Sequence, residues 1–478
     1  MTAYDAVVVG SGPNGLTAAA TLAAAGRSVL VLEANDTIGG NCRSAELTLP
    51  GYTHDLGAAI FALGAASPAW AAMGLDRLGV EWLHPDIALA HPLADGRAAL
   101  LHRSVADTVS GFSSAGSAHD GRAWERLVQP SLRSWPQLLE ALLAPLVRVP
   151  RHPITLARFG LQALPSASLA VRRFHADEAA ALFGGCAAHA FLSLRAPLSA
   201  SFGLMLALSA HAVGWPVARG GAQAVPDALA ARARELGGVI ETGRRVRSIA
   251  DLPPHRALLF DTNPAQVVAI AGQQLPERYR ASLLRFRHGP GAFKVDFALD
   301  GPVPWANPEC ARAGTVHVGG TFAEVAAAEA EVAAGRMPAR PFVLVVQPSV
   351  VDPSRAPDGK HVLWTYAHVP HGCTIDATAA VEAQIERFAP GFRDRILART
   401  STPPAGLEAL NANNVGGDIA GGAHSGLQVP FRPTITWRTY ATPNPSVLLC
   451  SASTPPGGGA HGMCGANAAA VALAGVLR

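Results

Sequence analysis

Near the start of the chain, Gly10-Ser11-Gly12-Pro13-Asn14-Gly15 has the glycine spacing with which a backbone turn cradles phosphate. Gly10 permits the tight turn, and Gly12 removes the Cβ that would hold a pyrophosphate away. Gly15 lets the next helix pack close to its strand. Pro13 and Asn14 open that helix, whose free N–H groups and positive dipole end favour an anion. Glu33 closes the next apolar run. It is placed to accept hydrogen bonds from both hydroxyls of a ribose, and its charge would repel a 2′-phosphate. The chemistry of this set is dinucleotide binding.

Such a turn works only between a strand and a helix. Tyr4–Val9 reads YDAVVV, a β-branched run expected as a buried parallel strand. Residues 16–25 are rich in Ala and Leu and predict a helix, with Gly26 as its C-cap. Residues 28–32 predict the second strand. A similar corner stands at the other end of the chain. Residues 446–451 predict an apolar strand, followed by TPPGGGAHGMCG and an Ala-rich helix over 466–477. Gly458, Gly459, His461, Gly462 and Met463 lie in this loop, and its helix offers a second start at which an anion can sit.

The fingerprint alone does not choose between NAD and FAD. The next segment, Ile38-Gly39-Gly40-Asn41-Cys42-Arg43-Ser44, resembles the second FAD motif of the amine oxidase and phytoene desaturase superfamily. That resemblance implies that Gly39 and Gly40 let the backbone cross the FAD diphosphate and that Arg43 neutralises it. Asp55-Leu56-Gly57 resembles the element that passes near the flavin ring. Val246 falls where the family holds adenine through its backbone. The C-terminal loop and helix are similar to those aimed at the flavin pyrimidine. GWPVARGGAQAVPDAL, GPGAFKVDFALDGPVPW and NVGGDIAGGAHSGLQ extend the likeness through the chain to the phytoene desaturase-related flavoproteins.

The implied fold is α/β. A discontinuous Rossmann-type FAD-binding domain would take residues 1–70, 205–275 and 435–478. A mixed α+β substrate-binding domain would take 71–204 and 276–434. Within the first domain, the strand pair 239–241 and 245–249 would precede a parallel strand at 257–261. Within the second, helices broken near Arg148-Val149-Pro150-Arg151 and Pro165-Ser166 would be followed by strands at 294–299, 342–346 and 361–367.

Lys294 and His461 are the candidate catalytic residues. Phe293-Lys294-Val295, with Pro304-Trp305 after it, is similar to the amine oxidase strand whose lysine holds a water against flavin N5. The alternative for Lys294 is a salt bridge with Asp296 at a sheet edge, because alternation puts both on one face. His461 would bond the pyrimidine carbonyl, aid proton transfer, or simply pack the loop. His54 and Asp55 form a second acid–base couple, with Asp55 read as structural. His211 and His368 read as core histidines, and Cys42 and Cys464 as packed thiols. No metal-ligand spacing and no Ser–His–Asp arrangement is present.

The 478 residues call for more than one core, and 49% hydrophobic with 15% charged residues excludes a disordered chain. The net charge of +3 is scattered, so nucleic acid is not an expected partner. Six cysteines without a CxxC pair, and no leader before the first strand, point to a reduced cytoplasmic compartment. A mean hydropathy of +0.22 fits an apolar cavity, a peripheral membrane-facing patch or an Ala-rich core. The longest apolar run, 202–213, is too short to span a bilayer. The leading expectation is an FAD-dependent desaturase or dehydrogenase that takes a hydride from an apolar, lipid- or isoprenoid-like small molecule. The alternatives are an FAD oxidase of an amine or other small polar molecule, and a lipid binder like the GDP-dissociation inhibitors. The oligomeric state and the final electron acceptor stay open.

Overall fold

In the computed structural model, residues 3–114 and 117–478 are described. The run YDAVVV forms β1, Tyr4–Val9, and its alternation feeds two cores. Ala6 and Val8 pack on one face with Val29 and Val31, under helix α1, Pro13–Ala24. Val7 and Val9 pack on the other face with Leu30, Leu32, Leu258 and Phe260. Burial on both faces is why this strand is apolar throughout.

β1 is the middle of a five-stranded sheet, all parallel. On one side of it lie β2, Val29–Leu32, and then Val239–Glu241. On the other side lie His255–Phe260 and Val447–Leu449. The order reverses beside β1, so the ends of β1, β2 and His255–Phe260 open a crevice there, the usual ligand position in such sheets. α1 is covered by the C-terminal helix Met463–Ala474.

The expected strand at 245–249 does not form. After Glu241 the chain turns at Gly243, which has φ +65°. Asp251 Oδ2 then accepts the N–H groups of Arg247 and Ser248, which a ladder would have needed. This capping box starts a short 3₁₀ turn at Ile249–Asp251 instead.

The remaining chain builds a seven-stranded sheet and a helical layer. In sheet order the strands are Ile396–Thr402, Gly291–Leu299, His361–Val369, Val343–Val346, Ala313–Val318, Ile87–Pro92 and Ala98–Leu101. All neighbours are antiparallel except Ala313–Val318 with Ile87–Pro92. One face buries Phe293, Val295, Phe297, Val343, Val345 and Leu363 in a core. The other face carries Ala292, Lys294, Leu344, Val346, Trp364 and Tyr366 into a cavity. The helical layer includes Ser199–Ala212, which packs with Asp177–Ala188 around Leu204, Leu208, Leu182 and Phe183. A domain boundary at 205 therefore falls inside a helix of the substrate side. The return to the parallel sheet comes after that helix ends at Ala212.

Candidate functional site

One cavity of about 430 Å³ runs from the crevice beside β1 to the underside of the seven-stranded sheet. Its size is that of an enclosed small-molecule site. At the crevice end the wall is backbone. Gly10 takes φ +102°, and an ideal Cβ on Gly15 would stand 2.2 Å from the Gly10 carbonyl oxygen. Only glycine fits at Gly15, because that oxygen is backbone and fixed. Gly12 is the N-cap of α1, and no side chain caps it. In the first turn Pro13 has no N–H and the Gly15 N–H goes to Asp261, which leaves the Asn14 N–H for an anion.

Glu33 is 6% exposed and lines the cavity. Its carboxylate accepts from Ser11 N–H at 2.9 Å and Ser11 O–H at 2.7 Å. Arg43 also lines the cavity and braces the Gly39-Gly40 turn by donating to the Gly40 carbonyl at 2.9 Å. Gly57, Val246, Gly458 and Gly459 complete the set that the structure brings onto this one cavity. Gly39 stays just behind it, donating its N–H to Ser11 O at 3.0 Å.

Three of the C-terminal candidates point elsewhere. Gly462 takes φ +68° and turns the chain against Thr17 and Trp70. The N–H of Met463 then goes to His461 Nδ1 at 3.1 Å, and Ser67 donates to the His461 carbonyl at 2.7 Å. Neither His461 nor Gly462 nor Met463 lines the cavity. The imidazole of His461, held down to about 4 by burial, packs the loop, which is the structural alternative. The C-terminal helix therefore reaches the site through Gly457–Ala460 of its loop, and not through its own first turn.

Lys294 has features of both alternatives. It pairs with Asp296, but on a central strand flanked by Tyr366 and Thr402, and it is 2% exposed. Its ammonium lies 5.7 Å from the centroid of the Trp364 ring and lines the cavity. Burial pushes both members of the pair toward neutrality, and their contact opposes this. His54 stands 3.6 Å behind Asp296, bonded to Thr48, and burial lowers it to about 3. Asp55 is structural, accepting from Arg355 at 2.7 Å, Ser44 at 2.7 Å and Ala222 N–H at 2.7 Å. Cys42 and Cys464 are buried thiols. His211 is a satisfied core histidine, accepting from Trp124 Nε1 at 3.0 Å. His368 is not one, since it pairs with buried Glu329 at 2.8 Å.

Several functional residues escaped the sequence. Asp261 lines the cavity and accepts the Gly15 N–H at 2.9 Å. Burial raises it to about 7. Asn411, Asn413 and Asn414 line the crevice and tie its walls together. Asn41 donates to Asn414 at 2.8 Å, Asn411 donates to Asn41 at 2.9 Å, and Asn413 accepts from Asn263 N–H at 2.8 Å. Three asparagines within Asn411-Ala412-Asn413-Asn414 were the available signal. At the far end, Trp364 and Tyr366 meet edge to face at 5.3 Å, and Phe191 stacks on Tyr366 with its backbone at φ +52°. A non-glycine residue there is strained, and strain of this kind collects at working sites.

A parallel sheet whose crevice is lined by glycine turns, an acid at the end of β2 and an arginine defines a dinucleotide-binding protein. Residues 14–384 match the family described as flavin containing amine oxidoreductase, and the chain belongs to it. The cofactor is FAD. The bare glycine wall, Glu33 and Arg43 suit its diphosphate and ribose. The chain is similar to pyridine nucleotide-disulfide oxidoreductase domain-containing protein 2 of Mus musculus, 26% identical over 98% of this chain and 93% of that one. It is also similar to phytoene dehydrogenase of Streptomyces griseus, 27% identical over 95% and 91%. Among solved structures, putrescine oxidase bound to putrescine superposes with a TM-score of 0.63 at 17% identity, covering all of both chains.

Proposed function

We propose that the protein is an FAD-dependent dehydrogenase or desaturase of an apolar, lipid- or isoprenoid-like molecule. One observation carries this reading: the carboxylates on the cavity wall, Glu33 and Asp261, are both at the nucleotide end. Leu206, Trp215, Leu344, Val346, Trp364 and Tyr366 line the far end, and its cation is Lys294. A protonated amine brought there would meet no free counter-charge, because Asp296 is already taken by Lys294. A hydrocarbon would lose nothing and would displace water from apolar walls.

FAD, when bound, supplies a two-electron acceptor. The chain supplies the rest. Gly10, Gly12 and the start of α1 hold the nucleotide by its charge. The sheet residues exclude water and fix the substrate carbons. Lys294, held by Asp296, places one positive charge on the cavity wall, where charge gained on reduction is stabilised. Anaerobic bleaching of the yellow band tests the reading against apolar, alcohol and amine candidates. Bleaching by an isoprenoid or other hydrocarbon is expected. Bleaching by amines alone would move the protein to the second reading, an amine oxidase, which the putrescine oxidase likeness in fold keeps in view.

We further propose that the substrate is collected at a membrane surface, with the protein cytoplasmic. Ile154, Leu161 and Leu164 are 68%, 75% and 61% exposed around helix Pro153–Ala163, with Arg148, Arg151 and Arg158 beside them. That pattern suits shallow insertion into anionic lipid. Among the described residues no single helix is long and apolar enough to cross a membrane.

A further inference from the structure

Removing two hydrogens from neighbouring carbons releases a hydride, which the flavin accepts, and a proton, which needs a base. Lys294 is committed to Asp296, and His461 faces away. A chain of imidazoles starts at the apolar end instead. His189 lines the cavity there. Its Nε2 lies 3.0 Å from His317 Nε2, and its Nδ1 makes no hydrogen bond among the described residues. His317 and His91 are 0% exposed. Their Nδ1 atoms are both without partners and both face Gly185. An ideal Cβ there would lie 2.5 Å from the first and 2.8 Å from the second. His91 Nε2 is 2.7 Å from the Gly320 carbonyl.

Hydrogen-bond direction fixes the tautomers along this chain. A carbonyl only accepts, so His91 Nε2 carries the hydrogen and His91 Nδ1 is a lone pair. If His317 donated through Nε2, its Nδ1 lone pair would face that of His91 in a buried site. The favourable arrangement puts the His317 hydrogen on Nδ1, with His317 Nε2 accepting from His189 Nε2–H at 3.0 Å. His189 Nδ1 is then left as a lone pair open to the cavity.

We propose that His189 accepts the proton released on substrate oxidation, with His317 Nε2 accepting the hydrogen of its other ring nitrogen. This rests on the dehydrogenase reading above. The electron pair of one substrate C–H leaves with the hydride to the flavin. The neighbouring C–H gives its proton to His189 Nδ1, and its electron pair closes the new C=C bond. His189 Nε2–H is then shared with His317 Nε2, 3.0 Å away, which spreads the charge over both rings. His368, 2.8 Å from Glu329 on the cavity side of the same sheet, acts against a lasting charge on His189 and on His317. Burial holds His189 at about 3, so it is neutral before turnover. A weak base suffices, because a C–H beside a departing hydride is strongly acidic.

Nitrogen-15 NMR of histidine-labelled, FAD-loaded protein at pH 7 reads the tautomers without turnover. The expected result is hydrogen on Nε2 of His189, Nδ1 of His317 and Nε2 of His91. Hydrogen on Nδ1 of His189 would overturn the proposal. His189→Phe should slow anaerobic bleaching by phytoene in phosphatidylcholine vesicles about 100-fold, with FAD content unchanged. His317→Gln should slow it less and bring out a solvent deuterium effect. Bleaching by His189→Phe at the wild-type rate would also overturn it. Should phytoene fail to bleach the wild type, the substrate reading is what suffers, and the tautomers still decide the role of His189.

Discussion

The two ends of the cavity are walled by different materials. At the nucleotide end the contacts are backbone: the Gly10–Gly15 turn, the start of α1, the Gly39-Gly40 crossing and the Gly457–Gly459 loop. At the substrate end they are side chains on one face of a sheet, with strands drawn from residues 87 to 402. A backbone wall is stiff and tolerates no added carbon. A side-chain wall can be reshaped residue by residue, so the same frame can serve hydrocarbons in one relative and amines in another.

The sharpest way to break this contrast is Gly15→Ala. Its new Cβ would meet the Gly10 carbonyl at 2.2 Å, which no rotamer relieves. We expect flavin to be lost from the purified protein and stability to fall by about 3 kcal/mol, read from the visible absorbance per chain and a urea melt. A full complement of flavin in this variant would show that the turn is not the constraint.

At the other end, Lys294→Met should keep flavin and slow bleaching or reoxidation about 10-fold. It strands Asp296 in a buried site, at a cost of about 3 kcal/mol. Lys294→Met with Asp296→Leu should recover most of that stability but not the rate, which separates the catalytic from the structural share of the pair.

A smaller effect lies at the junction. Burial raises Asp261 from its ordinary value to about 7. A carboxyl with a raised folded value binds more protons folded than unfolded. Its stabilising share is complete below about 4 and is lost as pH rises through about 7. Asp261→Asn should flatten the stability of the flavin-free protein between pH 4 and 8. An unchanged slope would place the titration elsewhere.

The same contrast decides what could be read in advance. The nucleotide corner was legible because its residues are contiguous and each has a local reason: glycine where a Cβ collides, an acid where β2 ends. The long strands at 291–299 and 361–369 were legible from their periodicity. The substrate end was not. His91, His189 and His317 stand on two strands and the exit of a helix, and only the closed sheet brings them together. Asp261 read only as the last residue of the strand at 257–261, and nothing local marks its carboxyl as a partner of the distant Gly15 N–H. For His461 the loop spacing left packing and catalysis both open, and the left-handed turn at Gly462 decides for packing.

The central claim is that the far end of this cavity is built for a neutral apolar molecule. Quenching of flavin fluorescence by a neutral isoprenoid alcohol and by the amine of the same chain, at pH 7, compares the two directly. The account predicts that the neutral molecule binds at least about 10-fold more tightly, a difference of about 1.4 kcal/mol. Equal or tighter binding of the protonated amine would contradict it.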